Sequence, residues 1–170
     1  MSLKKAGEQM QIVINSSPLI FLAKLGYLAQ FLNYPNSFYV PQSVADEILE
    51  KIDPASQIIQ AFLSSGAIQV HAVTLNNLAQ SLNQRLGRGE SDAIALAIQL
   101  NSDYVLLDDL AARKEASRLG LTVKGTLAVI HKMERDGKIV VDDLDALYAH
   151  CLEIDFRIRR SIFNQIFLEK

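Results

Sequence analysis

The sequence predicts an α/β fold of three layers, in which helices cover both faces of a central parallel sheet. Short apolar segments of strand length recur along the chain, a helical segment follows each of them, and Gly, Pro, Asn or Asp residues mark the turns between them. Short strands that alternate with helices form parallel sheets, because each helix returns the chain to the same edge. A length of 170 residues and an apolar fraction of 49% suit one domain with a buried core.

Five segments are predicted as strands, each a short apolar run bounded by turn residues. They lie at residues 11–14, 38–40, 68–70, 104–107 and 121–123. The fourth segment, Tyr-Val-Leu-Leu, is apolar throughout, which is typical of a central parallel strand.

The predicted helices begin at recognisable capping residues. Ser17 is predicted as an N-cap with Pro18 at the first helical position, Pro41 opens the next long helix, and Thr126 is predicted as the N-cap of a later one. Residues 93–100 are apolar almost all round, so their helix should pack on more than one side. Further helices are predicted at residues 27–32, 56–63, 76–86, 110–119, 141–150 and 161–167.

The chain is divided into three parts. Residues 1–10 are predicted to be a disordered leader, residues 11–137 the main domain, and residues 138–170 a helical extension packed on that domain. The leader lacks the apolar core of a signal peptide, and no segment reaches membrane-spanning length. The expected compartment is therefore the cytoplasm, with no membrane partner.

Composition excludes several classes of function. The net charge of -2 and the pI near 5.9 remove any overall basic character, so nucleic-acid binding would depend on a local patch. A single cysteine, Cys151, excludes an internal disulfide framework and a cysteine-rich zinc site, and the three histidines form no zinc motif.

Acidic and amide side chains cluster at predicted strand ends and helix starts. Asn15 ends the first strand and Asp108-Asp109 ends the fourth, so both fall on the carboxyl edge of a parallel sheet, where sites form. Glu90 and Asp92 open a helix but are two residues apart and cannot face the same way, so one is predicted as a ligand and the other as a dipole partner or outer-shell group. Helix capping and an Asx-type turn are the alternative explanations for these acids.

A further acid comes from the helix that follows Pro41. Val44 and Ile48 share one face of this helix, and Glu47 lies beside them, nearest the core side. A salt bridge at the edge of the buried stripe is the alternative role for Glu47.

Oxygen ligands without histidine or thiolate suit Mg²⁺ or Mn²⁺, which retain several waters and take only a few carboxylates. Such an ion activates water and neutralises charge on a phosphoryl group. Phosphodiester cleavage is therefore the natural reaction.

Five motifs in order resemble one family. They are Val-Ile-Asn-Ser-Ser-Pro-Leu-Ile, Val-Pro-Gln-Ser-Val-Ala-Asp-Glu-Ile, Gly-Glu-Ser-Asp-Ala-Ile-Ala-Leu-Ala, Leu-Leu-Asp-Asp-Leu-Ala-Ala-Arg and Lys-Gly-Thr-Leu. Together they resemble the PIN-domain superfamily, in particular the PIN-like proteins allied to bacterial toxins of the VapC type, over residues 12–137.

The resemblance implies a sheet of order 3-2-1-4-5 and a Mg²⁺- or Mn²⁺-dependent endoribonuclease, held as a toxin by a cognate antitoxin. By position, Glu47 matches the second family acid, Asp92 or Glu90 the third, and Asp109 or Asp108 the fourth. The predicted catalytic residues are Asn15, Glu47, Asp92 and Asp109; the predicted metal ligands are Glu47, Glu90, Asp92, Asp108 and Asp109; and the residues predicted to face the RNA substrate are Ser16, Arg113 and Thr126.

Asn15 departs from the aspartate that PIN nucleases generally carry, although the allied branch often has asparagine. An amide oxygen carries no charge, so it holds a metal more weakly. Two alternatives to a nuclease follow: a catalytically weak PIN-like module that binds RNA or a partner protein, and a receiver-like phosphoacceptor. The acidic pair of a receiver follows the first strand, where this chain has Asn15-Ser16, so the last alternative is the least favoured.

The end of the chain carries a candidate contact surface. Ile162 with Ile166, and Phe163 with Phe167, repeat at helical spacing. This spacing would suit a homodimer or an antitoxin contact.

Overall fold

A parallel sheet lies at the centre of the computed structural model, which describes residues 9–168. Its strands are β1 (Gln11–Ile14), β2 (Ser37–Pro41), β3 (Ile68–His71), β4 (Tyr104–Leu106) and β5 (Val123–Lys124). They are hydrogen-bonded in the order β3-β2-β1-β4-β5, and every neighbouring pair is parallel. The predicted parallel sheet and its strand order 3-2-1-4-5 are confirmed.

Helices connect the strands, and three more follow the last strand. Within the described residues they are α1 (Ser16–Leu25), α2 (Leu28–Leu32), α3 (Gln42–Leu49), α4 (Pro54–Ser65), α5 (Asn76–Asn83), α6 (Arg88–Gln99), α7 (Leu110–Arg118), α8 (Thr126–Arg135), α9 (Leu144–Glu153) and α10 (Arg160–Leu168). None of these helices combines the length and the apolarity that crossing a bilayer requires.

Two predicted N-caps are wrong. α1 begins at Ser16, and its N-cap is Asn15, which has an extended backbone and makes no side-chain capping bond. Pro18 is accommodated two positions later than expected, because no N–H of the first turn has an intrahelical partner. α8 begins at Thr126 itself, after Gly125 as N-cap. The side chains of Asn15 and Thr126 are therefore available for contacts outside their own helices.

The core lies on both faces of the sheet. Ile12 and Ile14 point to one face and Val13 to the other, as the alternation of a strand requires. The first face is covered by α1 to α4 and α8 to α10, and the second by α5, α6 and α7. The predicted three-layer arrangement is confirmed.

α6 is enclosed on several sides. Its residues 93–97 are each fully buried, and the helix packs on the sheet and on α3 and α5. The small side chains of three alanines in this run allow that close approach. α6 is therefore a fixed support for the acidic residues at its start.

The last two helices belong to the same core. Cys151 and Phe163 are fully buried and Phe167 is nearly so, in the cluster that includes the first face of the sheet. Burial raises the pKa of the Cys151 thiol to about 11, as suits an unreactive apolar filler. Phe163 and Phe167 are therefore not free to form the predicted dimer or antitoxin contact, and only Ile162 of that set is largely exposed, at 46%.

The predicted leader falls largely outside the described part of the chain. Its last two residues are described: Gln9 donates to the hydroxyl of Ser37, and the backbone N–H of Met10 donates to the side-chain oxygen of Asn36. These contacts join them to the segment that leads into β2.

Candidate active site

Asn15 presents an unpaired amide oxygen at the carboxyl end of β1. Its backbone N–H donates to the carbonyl of Leu106 in β4, which fixes the residue between the two central strands. The residue is only 3% exposed, and Oδ1 accepts no hydrogen bond from any residue of the described chain. Leaving a buried acceptor unsatisfied costs about 1–3 kcal/mol. This oxygen is therefore a strong candidate ligand.

Glu47 and Gly89 face the same oxygen. A Cβ at Gly89 would lie 3.4 Å from Asn15 Oδ1 and 3.5 Å from Glu47 Oε2, so these two oxygens are within about 7 Å of each other. Val44 and Ile48, which flank Glu47 on α3, are fully buried and fix that helix on the core. Glu47 itself is half-buried and lies 3.7 Å from Lys51 in a loose surface ion pair. Such a pair contributes little, so Glu47 can turn to a cation.

These oxygens open into a cleft of about 480 Å³. The walls come from the end of β1, the start of α1, α3 and the start of α6. Its lining residues are Asn15, Ser16, Ser17, Ser43, Asp46, Glu47, Glu50, Gly87, Arg88, Gly89 and Glu90.

Glu90 lies in the first turn of α6, where its carboxylate accepts a 3.0 Å hydrogen bond from the N–H of Gly87. Burial raises the pKa of Glu90, and the negative charges of Asp109 and Glu47 act in the same direction against the opposing hydrogen bond. Glu90 is thus both a helix cap, as one prediction had it, and a member of a group of mutually repelling carboxylates. A bound cation would relieve that repulsion.

Asp92 lies two residues after Glu90 on α6. It is three residues after Gly89 and so lies on the same side of the helix as Gly89. Arg88 Nε lies 3.8 Å from Asp92 Oδ2, and the Asp92 side chain is 17% exposed. Asp92 is not among the residues that line the cleft.

Asp108 is fully engaged by the chain that follows β5. Its Oδ1 accepts from the N–H of Thr126 at 2.8 Å and its Oδ2 from the Thr126 hydroxyl at 2.6 Å. Burial raises the pKa of Asp108, while the bonds from Thr126 and the charge of Arg113 oppose that effect. Asp108 therefore ties the start of α8 to the end of β4.

Asp109 differs from its neighbour in being exposed. It is the N-cap of α7, and its Oδ2 accepts from the N–H of Ala112 at 2.9 Å. One carboxylate oxygen is left for another ligand. Since the charge of Asp109 acts on Glu90, Asp109 contributes to the negative potential of the site.

Arg113 is directed inward. Its Nη1 donates to the carbonyl of Leu107 at 2.9 Å, beside Asp108. A Cβ at Gly125 would lie 2.7 Å from Arg113 Nη1, so a larger residue there would displace this guanidinium from its present position. Arg113 and Gly125 thus support Asp108 from behind.

A family model described as a PIN domain matches residues 11–169, which is nearly the whole chain. The chain belongs to the PIN domain family. The resemblance identified in the sequence is thereby confirmed for the superfamily, while the alliance with toxins of the VapC type stays a prediction. No curated protein matches the chain significantly.

Most of the predicted residues of this PIN domain fall into two groups. Asn15, Ser16, Glu47 and Glu90 line one cleft, whereas Asp108, Arg113 and Thr126 form a partly buried hydrogen-bonded group behind the end of β4. Asp92 and Asp109 belong to neither group: Asp92 lies near Arg88, and Asp109 caps α7. Among residues 9–168, no three His, Cys, Asp or Glu side chains lie close enough together to hold an ion by themselves. The roles of Glu47, Glu90, Asp92, Asp108 and Asp109 as metal ligands remain predictions.

Two positions in the PIN domain were missed by sequence reasoning. Ser43 lines the cleft with a buried hydroxyl that has no hydrogen-bond partner within residues 9–168. It lies four residues before Glu47 on α3, so helical spacing could have indicated it. Gly89 precedes the predicted helix start at Glu90, whereas it lies in the first turn of α6 and owes its importance to the side chain that it lacks.

The donors of this PIN domain fit a hard divalent cation. PIN domains generally use divalent metal ions. The cleft offers the amide oxygen of Asn15 and four carboxylates, of which Glu47 and Glu90 lie nearest to it, and it has room for the waters that Mg²⁺ retains. Asn15 and Glu47 would be the nearest ligands, with Glu90 next to them.

Proposed function

We propose that this PIN domain is a Mg²⁺- or Mn²⁺-dependent endoribonuclease. The observation that carries the proposal is the unpaired, buried Oδ1 of Asn15, which faces Glu47 across the gap left by Gly89. A buried acceptor without a partner is unfavourable unless a ligand completes it. The oxygen donors of the cleft and the membership in the PIN domain family both favour a divalent cation as that ligand, with RNA phosphates bound to the cation.

The ion would supply an activated water and would neutralise charge on the scissile phosphate. Asn15 and Glu47 would hold it directly, and Asp92 and Asp109 would act through water or after a small rearrangement. Glu90, whose pKa is raised by burial, is suited to exchange a proton with a nearby water.

The residues predicted to face the RNA substrate lie in two places, one at the cleft and one beside Asp108. Ser16 lies on the cleft wall, and we propose that its hydroxyl contacts the RNA. Arg88 is highly exposed at the cleft, with its side chain 79% accessible, so its guanidinium can pair with a phosphate. Thr126 and Arg113 are proposed to position Asp108, since their donors are directed to Asp108 and Leu107.

Nuclease activity can be tested on the purified protein with single-stranded and structured RNA in the presence of Mn²⁺. The wild type is expected to cleave, and Glu47→Gln, Asp92→Asn and Asp109→Asn are expected to lose cleavage while keeping the fold. Equal trace activity in the wild type and in all three variants would refute the nuclease assignment.

The toxin role rests on the resemblance to VapC-type proteins. Expression of the chain alone is expected to arrest growth, and Glu47→Gln should abolish that arrest. A cognate antitoxin would be recovered as a neutralising partner. Growth that is unaffected by the wild type at a verified expression level would remove the toxin assignment but not the nuclease assignment.

A catalytically weak RNA- or protein-binding module is the second candidate. It is favoured by the neutral side chain of Asn15 and by the lack of three converging acids within residues 9–168. Calorimetric titration with Mn²⁺ separates the two candidates. Binding without turnover supports the module, whereas binding with RNA cleavage supports the nuclease.

A further inference from the structure

A second cavity lies away from the catalytic cleft, between α8 and the segment before β2. Its volume is about 170 Å³, and its walls are mainly apolar. Three aromatic rings line it, from Phe31, Tyr34 and Tyr104. An engineered apolar cavity of about 150 Å³ binds benzene, so this space is large enough for one six-membered ring.

The cavity and the cleft lie in different places on the sheet. Among the residues that line the cavity, Met10 precedes β1 and Tyr104 begins β4, whereas Lys124 ends the short strand β5 with its ammonium group over the Tyr104 ring. The cleft lies at the carboxyl end of β1, at Asn15. No residue lines both, so an occupant of the cavity would not be a ligand of the catalytic site.

One charged group of the cavity has no ion-pair partner among residues 9–168. Lys124 is half-buried with Nζ 4.4 Å from the centre of the Tyr104 ring, and no carboxylate in the described chain pairs with it. Lys132, also on the wall, is different because it is paired with Asp136 at 2.7 Å. Burial and the charge of Lys132 both lower the pKa of Lys124. An anion at this position would be stabilised by charge and would remove the cost of an unpaired ammonium.

We propose that this cavity binds a small aromatic carboxylate, with one six-membered ring against Phe31 and Tyr104 and the carboxylate paired with Lys124. The ring accounts for the apolar volume and the aromatic walls. The carboxylate accounts for the lysine, which an apolar occupant would leave uncompensated. This site is independent of the proposed nuclease activity.

Methionine methyl resonances allow a direct test with the full chain. The sequence has three methionines, Met1, Met10 and Met133, and the last two line the cavity. With ¹³C-methyl methionine, titration by benzoate is expected to shift the Met10 and Met133 signals in a saturable manner. Benzamide, which has the ring without the charge, should bind roughly tenfold more weakly, as expected when a charge-assisted bond is lost. Acetate should not bind.

Lys124→Gln is expected to weaken benzoate binding about tenfold and to leave benzamide unchanged. Lys114→Gln is the matched control, because Lys114 is exposed on α7 and lines no part of the cavity. Two results would overturn the proposal: no shift of either cavity methyl with benzoate, or equal affinity for benzoate and benzamide in the wild type. The second comparison needs no variant, so it decides the matter even if Lys124→Gln fails to fold.

Discussion

Replacing Gly89 with alanine should close the gap between Asn15 and Glu47 without straining the fold. The added methyl would lie 3.4 to 3.5 Å from Asn15 Oδ1, Glu47 Oε2 and Val44 Cγ2, which is close to ordinary van der Waals contact. Gly89 is in the first turn of α6, where alanine is the better helix former. The variant should therefore be more stable than the wild type by about 0.5 kcal/mol in the absence of metal.

The same methyl occupies the space in which an ion would meet both oxygens. Metal ligands in such sites lie about 2.0–2.1 Å from Mg²⁺, much closer than the methyl would allow. We expect Mn²⁺ affinity to fall at least tenfold. At a Mn²⁺ concentration of about 100 times the wild-type Kd, binding stabilises the wild type by about 2.7 kcal/mol, and a tenfold weaker site by roughly half as much.

Thermal unfolding with and without Mn²⁺ measures this difference. For a chain of this size the wild type should gain about 5–10 °C, and Gly89→Ala about half of that. Gly87→Ala is the control, because a methyl there would contact only Glu90. If Gly89→Ala keeps the full Mn²⁺-induced gain, the ion does not lie between Asn15 and Glu47, and the proposed site is wrong.

Three more substitutions test the surroundings of the site. Asn15→Asp should raise the affinity for Mn²⁺ about tenfold or more, as measured by calorimetry. It should also lower the stability of the metal-free protein, as measured by thermal unfolding, because it buries a charge near Glu47 and Glu90. Burial raises the pKa of Glu90 above its ordinary value of 4.5. The protonated Glu90 side chain therefore stabilises the folded protein below pH 4.5, and this stabilisation is lost as the pH rises through the pKa of the folded state. In urea unfolding, Glu90→Gln should flatten the pH dependence of stability in that range. Thr126→Val should lower the free energy of unfolding by about 1–3 kcal/mol, because it removes a buried donor to Asp108.

Each of these substitutions has a control. Asn15→Ser removes the amide without adding a charge, so a rise in affinity with serine would argue against a charge effect. Glu50→Gln alters an exposed acid of the same cleft, and an equal flattening there would mean that the pH effect is not specific to Glu90. Thr126→Ser keeps the hydroxyl and should retain most of the stability; if it loses as much as valine, the hydrogen bond to Asp108 is not the cause.

The sequence was sufficient for the fold because the fold depends on patterns that are local or periodic. The apolar run 104–107 and the all-round apolar stretch 93–100 predicted a central strand and an enclosed helix, and both are found. The errors are in the bounds of elements: β5, predicted at 121–123, is Val123–Lys124, and the helix predicted at 76–86 ends at Asn83. Ser17 and Thr126 have the side chains of good N-caps, but tertiary contacts place the helix starts elsewhere.

The sequence indicated the edge of the sheet at which the candidate site lies, but not the hydrogen bonds that its side chains make. Strand ends brought Asn15 and Asp108 to the same edge of the sheet, as the topology of parallel sheets requires. Which oxygens remain free depends on distant residues: Thr126, 18 residues away, engages both oxygens of Asp108. Gly89 could not be identified at all, because its effect is the space between two side chains from other elements.

The neutral side chain at Asn15 has a consequence for the metal-free protein. An aspartate in this place, only 3% exposed, would face Glu47 and would add to the repulsion that already raises the pKa of Glu90. Asparagine keeps an oxygen directed into the cleft but avoids that repulsion. Compared with aspartate, it would bind a metal ion more weakly and would make the metal-free protein more stable. The two candidate functions therefore differ in one quantity, the affinity of the Asn15 site for Mn²⁺ relative to the concentration available. A nuclease requires the site to be filled when RNA arrives, whereas a binding module does not.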